Sequence, residues 1–118
     1  MERIVRQTML FDFYGELLTE HQRSAYEDVV MNDLSYAELA RLQNISRQAA
    51  YDMIRRCDRQ LEEYEAKLHL VERFLSIREE LQKIEETAKV LQERTTDNTS
   101  KSYVEDILKR SGAILEEL

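Results

Sequence analysis

Apolar positions recur along this chain in steps of three and four, the period of a helix, and the pattern divides it into a series of helical segments. Ile4, Leu10, Phe11, Phe13, Tyr14, Leu17 and Leu18 give residues 3 to about 18 a wide apolar surface, with more aromatic area than one neighbour would cover. Gly15 sits within it, where the missing side chain would permit a close helix crossing. Thr19 with Gln22 forms a capping box, in which a hydroxyl and an amide side chain satisfy two unpaired amides of a helix start. The helix it opens runs to about Met31, with Ala25, Tyr26, Val29 and Val30 inward, and Asn32 and Asp33 end it. Leu34 then precedes a second capping box, Ser35 with Glu38, as a hydrophobic staple.

The stretch from Ser35 to Arg59 predicts two short helices joined by the turn Asn44, Ile45, Ser46. On the first, Tyr36, Leu39, Ala40 and Gln43 share one face, while Glu38 and Arg41 point away. Asn44 falls where the backbone must swing left-handed, Ile45 plugs inward, and Ser46 caps the second helix. That second helix turns Ala50, Met53, Ile54 and Cys57 inward, so Cys57 reads as a small buried hydrophobe. Gln48, Tyr51, Asp52, Arg55 and Arg59 face outward, with Arg47 and Arg56 on the flanks. This is the pattern of a helix-turn-helix, whose second helix enters the DNA major groove and reads base edges with its N-terminal residues. Arg47, Gln48 and Tyr51 are therefore the candidate readers, because Arg pairs with guanine and Gln with adenine in bidentate fashion. Arg55, Arg56 and Arg59 lie further along, where phosphates are the nearer targets.

From Ser46 to about Arg94 no Gly or Pro interrupts the helical pattern, and Glu63-Lys67, Glu79-Lys83 and Glu85-Lys89 make favourable pairs one turn apart. Apolar residues recur at Leu61, Tyr64, Leu68 and Val71, then at Phe74, Ile77, Leu81, Ile84, Ala88 and Leu91. The consecutive steps of three between the two sets overwind a helical seam, so the expectation is one long bent helix or two helices divided near Ser76. A seam of this length needs cover, from the last helix, from the aromatic N-terminal helix or from a second copy. A symmetric homodimer is the most economical solution, since it buries the stripe in both copies at once. Residues 95 to 102, TTDNTSKS, read as a loop, and Tyr103 to Leu118 as a final amphipathic helix with Val104, Ile107, Leu108, Ile114 and Leu115 inward. The fold class is all-α: a helix-turn-helix bundle over residues 1–60 and a long helical extension with a dimerisation seam over 61–118, packed as one unit.

Composition supports this. The 118 residues include no Pro and two Gly, and 35% are charged, which favours long helices over turn-rich sheets. The net charge of -7 is unevenly spread: residues 1–34 hold three basic and seven acidic side chains, 35–60 five and three, and 61–118 nine and fourteen. Only the helix-turn-helix block is positive, and five arginines are a thin footprint on a polyanion unless a second copy doubles them. No run nears the roughly 18 to 20 apolar residues that span a membrane, and the charge-interrupted N-terminus does not read as a signal peptide. With the lone Cys57, this predicts a cytoplasmic protein. His21 and His69 lie in no metal-ligand spacing, and the glutamate pairs 62-63, 79-80 and 85-86 interleave with Lys and Arg as a solvated face. With no phosphate loop or nucleophile motif, neither catalysis nor a metal or cofactor is expected.

LLTEHQ (17–22) and LSYAELARLQNISRQAAYDMIRR (34–56) resemble the promoter-reading region 4 of bacterial sigma factors. FYGELLTEHQ, SRQAAYDMIRR and LEEYEAKLHL together resemble more closely the YlxM-like family of small bacterial proteins, over about Met9 to Leu70. That resemblance implies a cytosolic, all-helical protein with a sigma-like helix-turn-helix. It also implies an accessory or regulatory role in the signal recognition particle pathway, the family's gene lying beside those of the particle's GTPase and receptor. The partner is then DNA or the particle's RNA; the alternative is a protein adaptor that keeps the fold and binds a partner such as the GTPase. Two residues depart from the usual motif: Gln43 stands where a large apolar residue is common, and Asn44 replaces the turn Gly. A buried Gln43 needs hydrogen-bond partners.

Overall fold

The computed structural model describes residues 1–118 as six α-helices with no strand. They are α1 (Arg3–Tyr14), α2 (Glu20–Tyr26), α3 (Tyr36–Gln43), α4 (Arg47–Leu68), α5 (Leu70–Arg94) and α6 (Asn98–Glu117). The chain forms two compact units, Met1–Val71 and Glu72–Leu118.

In the first unit α4 is the spine on which α1, α2 and α3 pack. Its apolar stripe, Ala50, Ile54, Cys57 and Leu61, is buried throughout, as are Leu10 and Tyr14 of α1, Ala25 and Tyr26 of α2, and Leu39 and Ala40 of α3. Burying a side chain such as Ile54 or Leu61 contributes about 1.5–3 kcal/mol. α1 is shorter than its pattern predicts: it stops at Tyr14 and tightens into a 3-10 turn over Gly15–Leu17. The cause lies downstream, because the capping box at Thr19 needs an extended chain before it, and Leu18 supplies it with φ -77° and ψ 156°. Leu10, Tyr14 and Leu18 are buried and Phe11 is half-buried, but Ile4, Phe13 and Leu17 stay exposed, so only part of the expected apolar surface is used. Phe11 stacks on Tyr26 at 5.5 Å between centroids. A Cβ on Gly15 would lie 3.0 Å from the Phe11 ring, so the glycine makes room for an aromatic side chain of its own helix.

α2 opens on the expected box, with the Gln22 amide donating to the Thr19 hydroxyl at 3.2 Å and the Thr19 amide to the Gln22 side chain at 3.1 Å. It widens into a π turn over Glu27–Met31, and Asp33, in the left-handed region at φ 61°, turns the chain toward α3.

The long helix breaks at His69, in the left-handed region at φ 56°, and not near Ser76. The break is held by tertiary bonds. The buried carboxylate of Glu65 accepts from the Tyr14 hydroxyl at 2.5 Å and from the Val71 amide at 3.0 Å, and the Tyr14 oxygen accepts from the Leu70 amide at 3.1 Å. Two amides at the start of α5, which an intact helix would have bonded to the preceding turn, are thus satisfied by side chains. Burial, reinforced by Glu65, pushes the Tyr14 phenol above its usual pKa and keeps it a donor. Leu61 and Val71 are consequently spent in the bundle core.

In the second unit the loop expected over 95–102 shrinks to a few residues, because Asp97 caps α6: its carboxylate accepts from the Ser100 amide at 2.8 Å, which holds its pKa low. Glu79-Lys83 and Glu85-Lys89 pair at 3.4 and 3.0 Å. Ala88, Val104 and Ser111 are buried and Leu81, Leu108 and Leu115 half-buried. Ile77, Ile84 and Leu91 of α5 and Ile107 and Ile114 of α6 remain roughly half exposed, contrary to the inward placing expected for the two α6 isoleucines.

Replacing Glu65 by Ala strands the Tyr14 hydroxyl and the Val71 amide in the core and should cost about 3 kcal/mol. Glu65→Gln retains an acceptor and should cost less. Urea unfolding followed by circular dichroism measures both, and wild-type stability in E65A would contradict this account of the break.

Candidate nucleic-acid interface

The surface in question is built on two capped helix starts and one left-handed turn. Ser35 accepts from the Glu38 amide at 3.1 Å while Glu38 reaches back to the Ser35 amide at 3.4 Å, which fixes where α3 begins. Asn44 ends α3 at φ 54° and ψ 47°, a conformation Asn tolerates better than most residues. The Ile45 amide then closes on the Ala40 carbonyl at 3.0 Å. Ser46 caps α4 by accepting from the Ala49 amide at 3.0 Å, so Arg47 is its first helical residue. Cys57 is fully buried; burial, with Asp58 beside it, pushes the thiol up to about 11, which leaves it unreactive at neutral pH.

The outer face of α4 carries the seven residues singled out by the sequence. Arg47, Gln48, Tyr51, Asp52, Arg56 and Arg59 are exposed and Arg55 is half-buried. The Gln48 amide donates to the Asp52 carboxylate at 3.0 Å, one turn on, which fixes the direction of the Gln48 side chain. Asp52 therefore orients a neighbour and, as an anion, adds nothing to phosphate attraction. The Tyr51 ring meets Tyr36 of α3 edge-on at 5.3 Å, and the Arg55 guanidinium lies 6.0 Å from the Tyr51 centroid. Tyr36, Arg47, Gln48 and Tyr51 line a recess of about 480 Å³ at the N-terminal end of the helix.

Further along α4 stands a group that the sequence pattern did not single out. Asp58 Oδ1 accepts from the Tyr26 hydroxyl at 2.6 Å and from the Gln7 amide at 3.0 Å. Its Oδ2 makes no hydrogen bond and faces two guanidiniums, Arg3 at 3.6 Å and Arg55 at 3.7 Å. Arg6 instead grips Glu62 through two bonds of 2.6 and 2.7 Å, which raise its pKa further. Burial and the Asp58 bond push the Tyr26 phenol far above its usual range, so it stays a donor. Arg3, Gln7 and Tyr26 come from α1 and α2, 29 or more positions before Arg55 and Asp58, and no spacing rule connects them to the motif.

Gln43 points inward as expected, but its Oε1 is buried without a hydrogen-bond partner. An orphaned acceptor of this kind costs about 1–3 kcal/mol. Gln43→Met, of similar shape and no polar atom to satisfy, should therefore raise stability by about 1 kcal/mol, read as a higher thermal midpoint; an unchanged or lower midpoint would show that Gln43 is satisfied in solution.

Comparison with known proteins bears on this surface. Residues 1–98 match the family model described as "Putative helix-turn-helix protein, YlxM / p13 like". Among curated proteins, a UPF0122 protein of Thermoanaerobacter sp. (strain X514) is 40% identical over 102 residues, 86% of this chain and 87% of the relative. One from Clostridium novyi (strain NT) is 40% identical over 107 residues, 91% of this chain and 93% of the relative. One from Shouchella clausii (strain KSM-K16) is 49% identical over 74 residues, 63% of this chain and 68% of the relative. No solved structure matches the chain. The match covers the whole helix-turn-helix unit and all of α5, and the chain belongs to the UPF0122 family of YlxM / p13-like helix-turn-helix proteins.

Proposed function

We propose that this protein is a DNA-binding regulatory protein of the cytoplasm that docks α4 in the major groove. The observation that carries this reading is the exposed cluster of Arg47, Gln48 and Tyr51 on the first turns of a capped second motif helix, where proteins of this architecture read bases. Arg47 pairs with guanine, Gln48 reads a base edge with Asp52 holding it in place, and Arg55, Arg56 and Arg59 neutralise phosphates. Membership of a helix-turn-helix family supports the same assignment. No helix is long and apolar enough to cross a membrane.

A second copy completes the footprint. Ile77, Ile84 and Leu91 stand seven residues apart on α5, and Ile107 and Ile114 seven apart on α6, all about half exposed. This is the spacing of a helical seam that pairs with another like it, and a two-fold dimer doubles the arginines available to DNA.

The double variant Arg47→Ala, Arg55→Ala should weaken binding to duplex DNA at least tenfold, since one lost bidentate base contact costs about 1–3 kcal/mol, and should flatten the salt dependence while leaving the helical signal intact. Binding that survives both changes unaltered would remove α4 from the contact. The same titration with the signal recognition particle's RNA tests the partner that the family resemblance implies, and RNA bound more tightly than any duplex would overturn the DNA assignment. Sedimentation velocity at micromolar concentration should show a dimer, and Ile84→Glu should dissociate it; a wild-type monomer would sink the two-copy footprint.

A further inference from the structure

We infer that Arg3, at the start of α1, is a backbone-phosphate contact of the same surface, held ready beside Arg55 by the carboxylate of Asp58. The inference rests on α4 being the contact helix and extends the interface to an element outside the motif.

The two oxygens of Asp58 have different partners. Oδ1 carries both short bonds, from the neutral Tyr26 hydroxyl at 2.6 Å and the Gln7 amide at 3.0 Å, and these anchor the carboxylate to α2 and α1. Oδ2 faces the Arg3 and Arg55 guanidiniums at 3.6 and 3.7 Å, too far for hydrogen bonds. The arginine side chains are 64% and 41% exposed while the Asp58 side chain is only 17% exposed, so the buried Oδ2 holds both guanidiniums by charge and leaves their N–H groups free of a hydrogen bond to it. Asp58 therefore gathers two cations at one place without consuming them. Arg6, one turn from Arg3, shows the contrast: its guanidinium is locked on Glu62 at 2.6 and 2.7 Å and has a structural role.

The space between these groups suits the ligand. Arg3, Gln7, Arg55, Asp58 and Arg59 line a cleft of about 400 Å³ between α1 and α4. The lining also holds Arg6, Glu62 and Glu63; with Arg6 matched to Glu62, three guanidiniums stand against the two carboxylates of Asp58 and Glu63, and Arg59 makes no ion pair of its own. Glu62 and Glu63 lie at the end further along α4, with Glu62 already matched by Arg6, so the excess positive charge stands at Arg3, Arg55 and Arg59. In a groove-docked motif helix the N-terminal turns meet bases, and the later turns and the helices packed on them meet the flanking strand's phosphates. Arg3 lies beside those later turns. A phosphodiester oxygen entering the cleft exchanges one loose carboxylate contact for bonds to two arginines at once, while Asp58 keeps its anchors to Tyr26 and Gln7.

The test is a salt titration of the full chain by fluorescence anisotropy, with labelled duplexes of mixed sequence, roughly 20 base pairs long, from about 50 to 200 mM KCl. Arg3→Ala should flatten the slope of log K against log salt by about 0.9, the value of one phosphate, and should weaken two unrelated duplexes equally. Arg3→Lys should restore the slope, and Arg78→Ala, an exposed arginine of the second unit, should leave it unchanged. Arg3→Gln, which removes the charge and keeps a donor for Asp58, should repeat the flattening if Arg3→Ala loses helicity. A wild-type slope in the Arg3 variants, with Arg55→Ala flattened, overturns the inference and leaves α4 as the contact. Slopes unmoved by Arg47→Ala and Arg55→Ala, or no binding by the wild type, overturn the reading of α4, and this inference with it.

Discussion

The hydrogen bond from the Tyr14 hydroxyl to the buried carboxylate of Glu65 is the constraint on which the bundle depends. A buried carboxylate is costly unless its lone pairs are used, and here the donors are the Tyr14 hydroxyl of α1 and the Val71 amide of α5. One side chain thereby fixes three things: the place of α1 along α4, the end of α4 and the start of α5. Without a bonded acceptor at that point, nothing in the sequence stops α4 from running on, since neither Gly nor Pro stands between Ser46 and Arg94.

Seven residues, two helical turns, earlier on the same helix, Asp58 repeats the arrangement with the Tyr26 hydroxyl. The two tyrosine-carboxylate bonds pin α1 and α2 to the later turns of the helix whose first turns carry Arg47, Gln48 and Tyr51. Apolar contacts alone would tolerate small slides along the stripe of Ile54, Cys57 and Leu61, whereas paired polar groups accept one register. Pairing is not complete everywhere in the bundle: Gln43 Oε1 is a buried acceptor without a partner.

Charge follows the same division. The chain is acidic overall at -7, so a polyanion approaching it is repelled except near the motif. Arg6 and Glu62 cancel within the bundle, while Arg3, Arg55 and Arg59 stay beside the carboxylates of Asp58 and Glu63, an excess of one positive charge. An even mixture of these charges would leave no positive path; bonding some arginines and freeing others creates one.

The sequence by itself determined most features that depend on neighbours within about a turn, though the Asp97 cap lies inside a stretch that reads as a loop. The capping boxes at Thr19 and Ser35, the left-handed Asn44, the Ser46 cap and the inward stripe of α4 are local consequences of residue type and helical period, and each is present. The outward placing of Arg47, Gln48 and Tyr51 follows from the same period. Only the tertiary structure decided that the long helix breaks at His69, because the acceptor that stabilises the break is completed by Tyr14, 51 positions before Glu65. It alone brought Arg3 beside Arg55, through a carboxylate whose anchors lie on two other helices. Periodicity records which face of a helix is apolar; it holds no information about which distant polar groups meet across that face, and those meetings set the helix ends and shape the charged surface here.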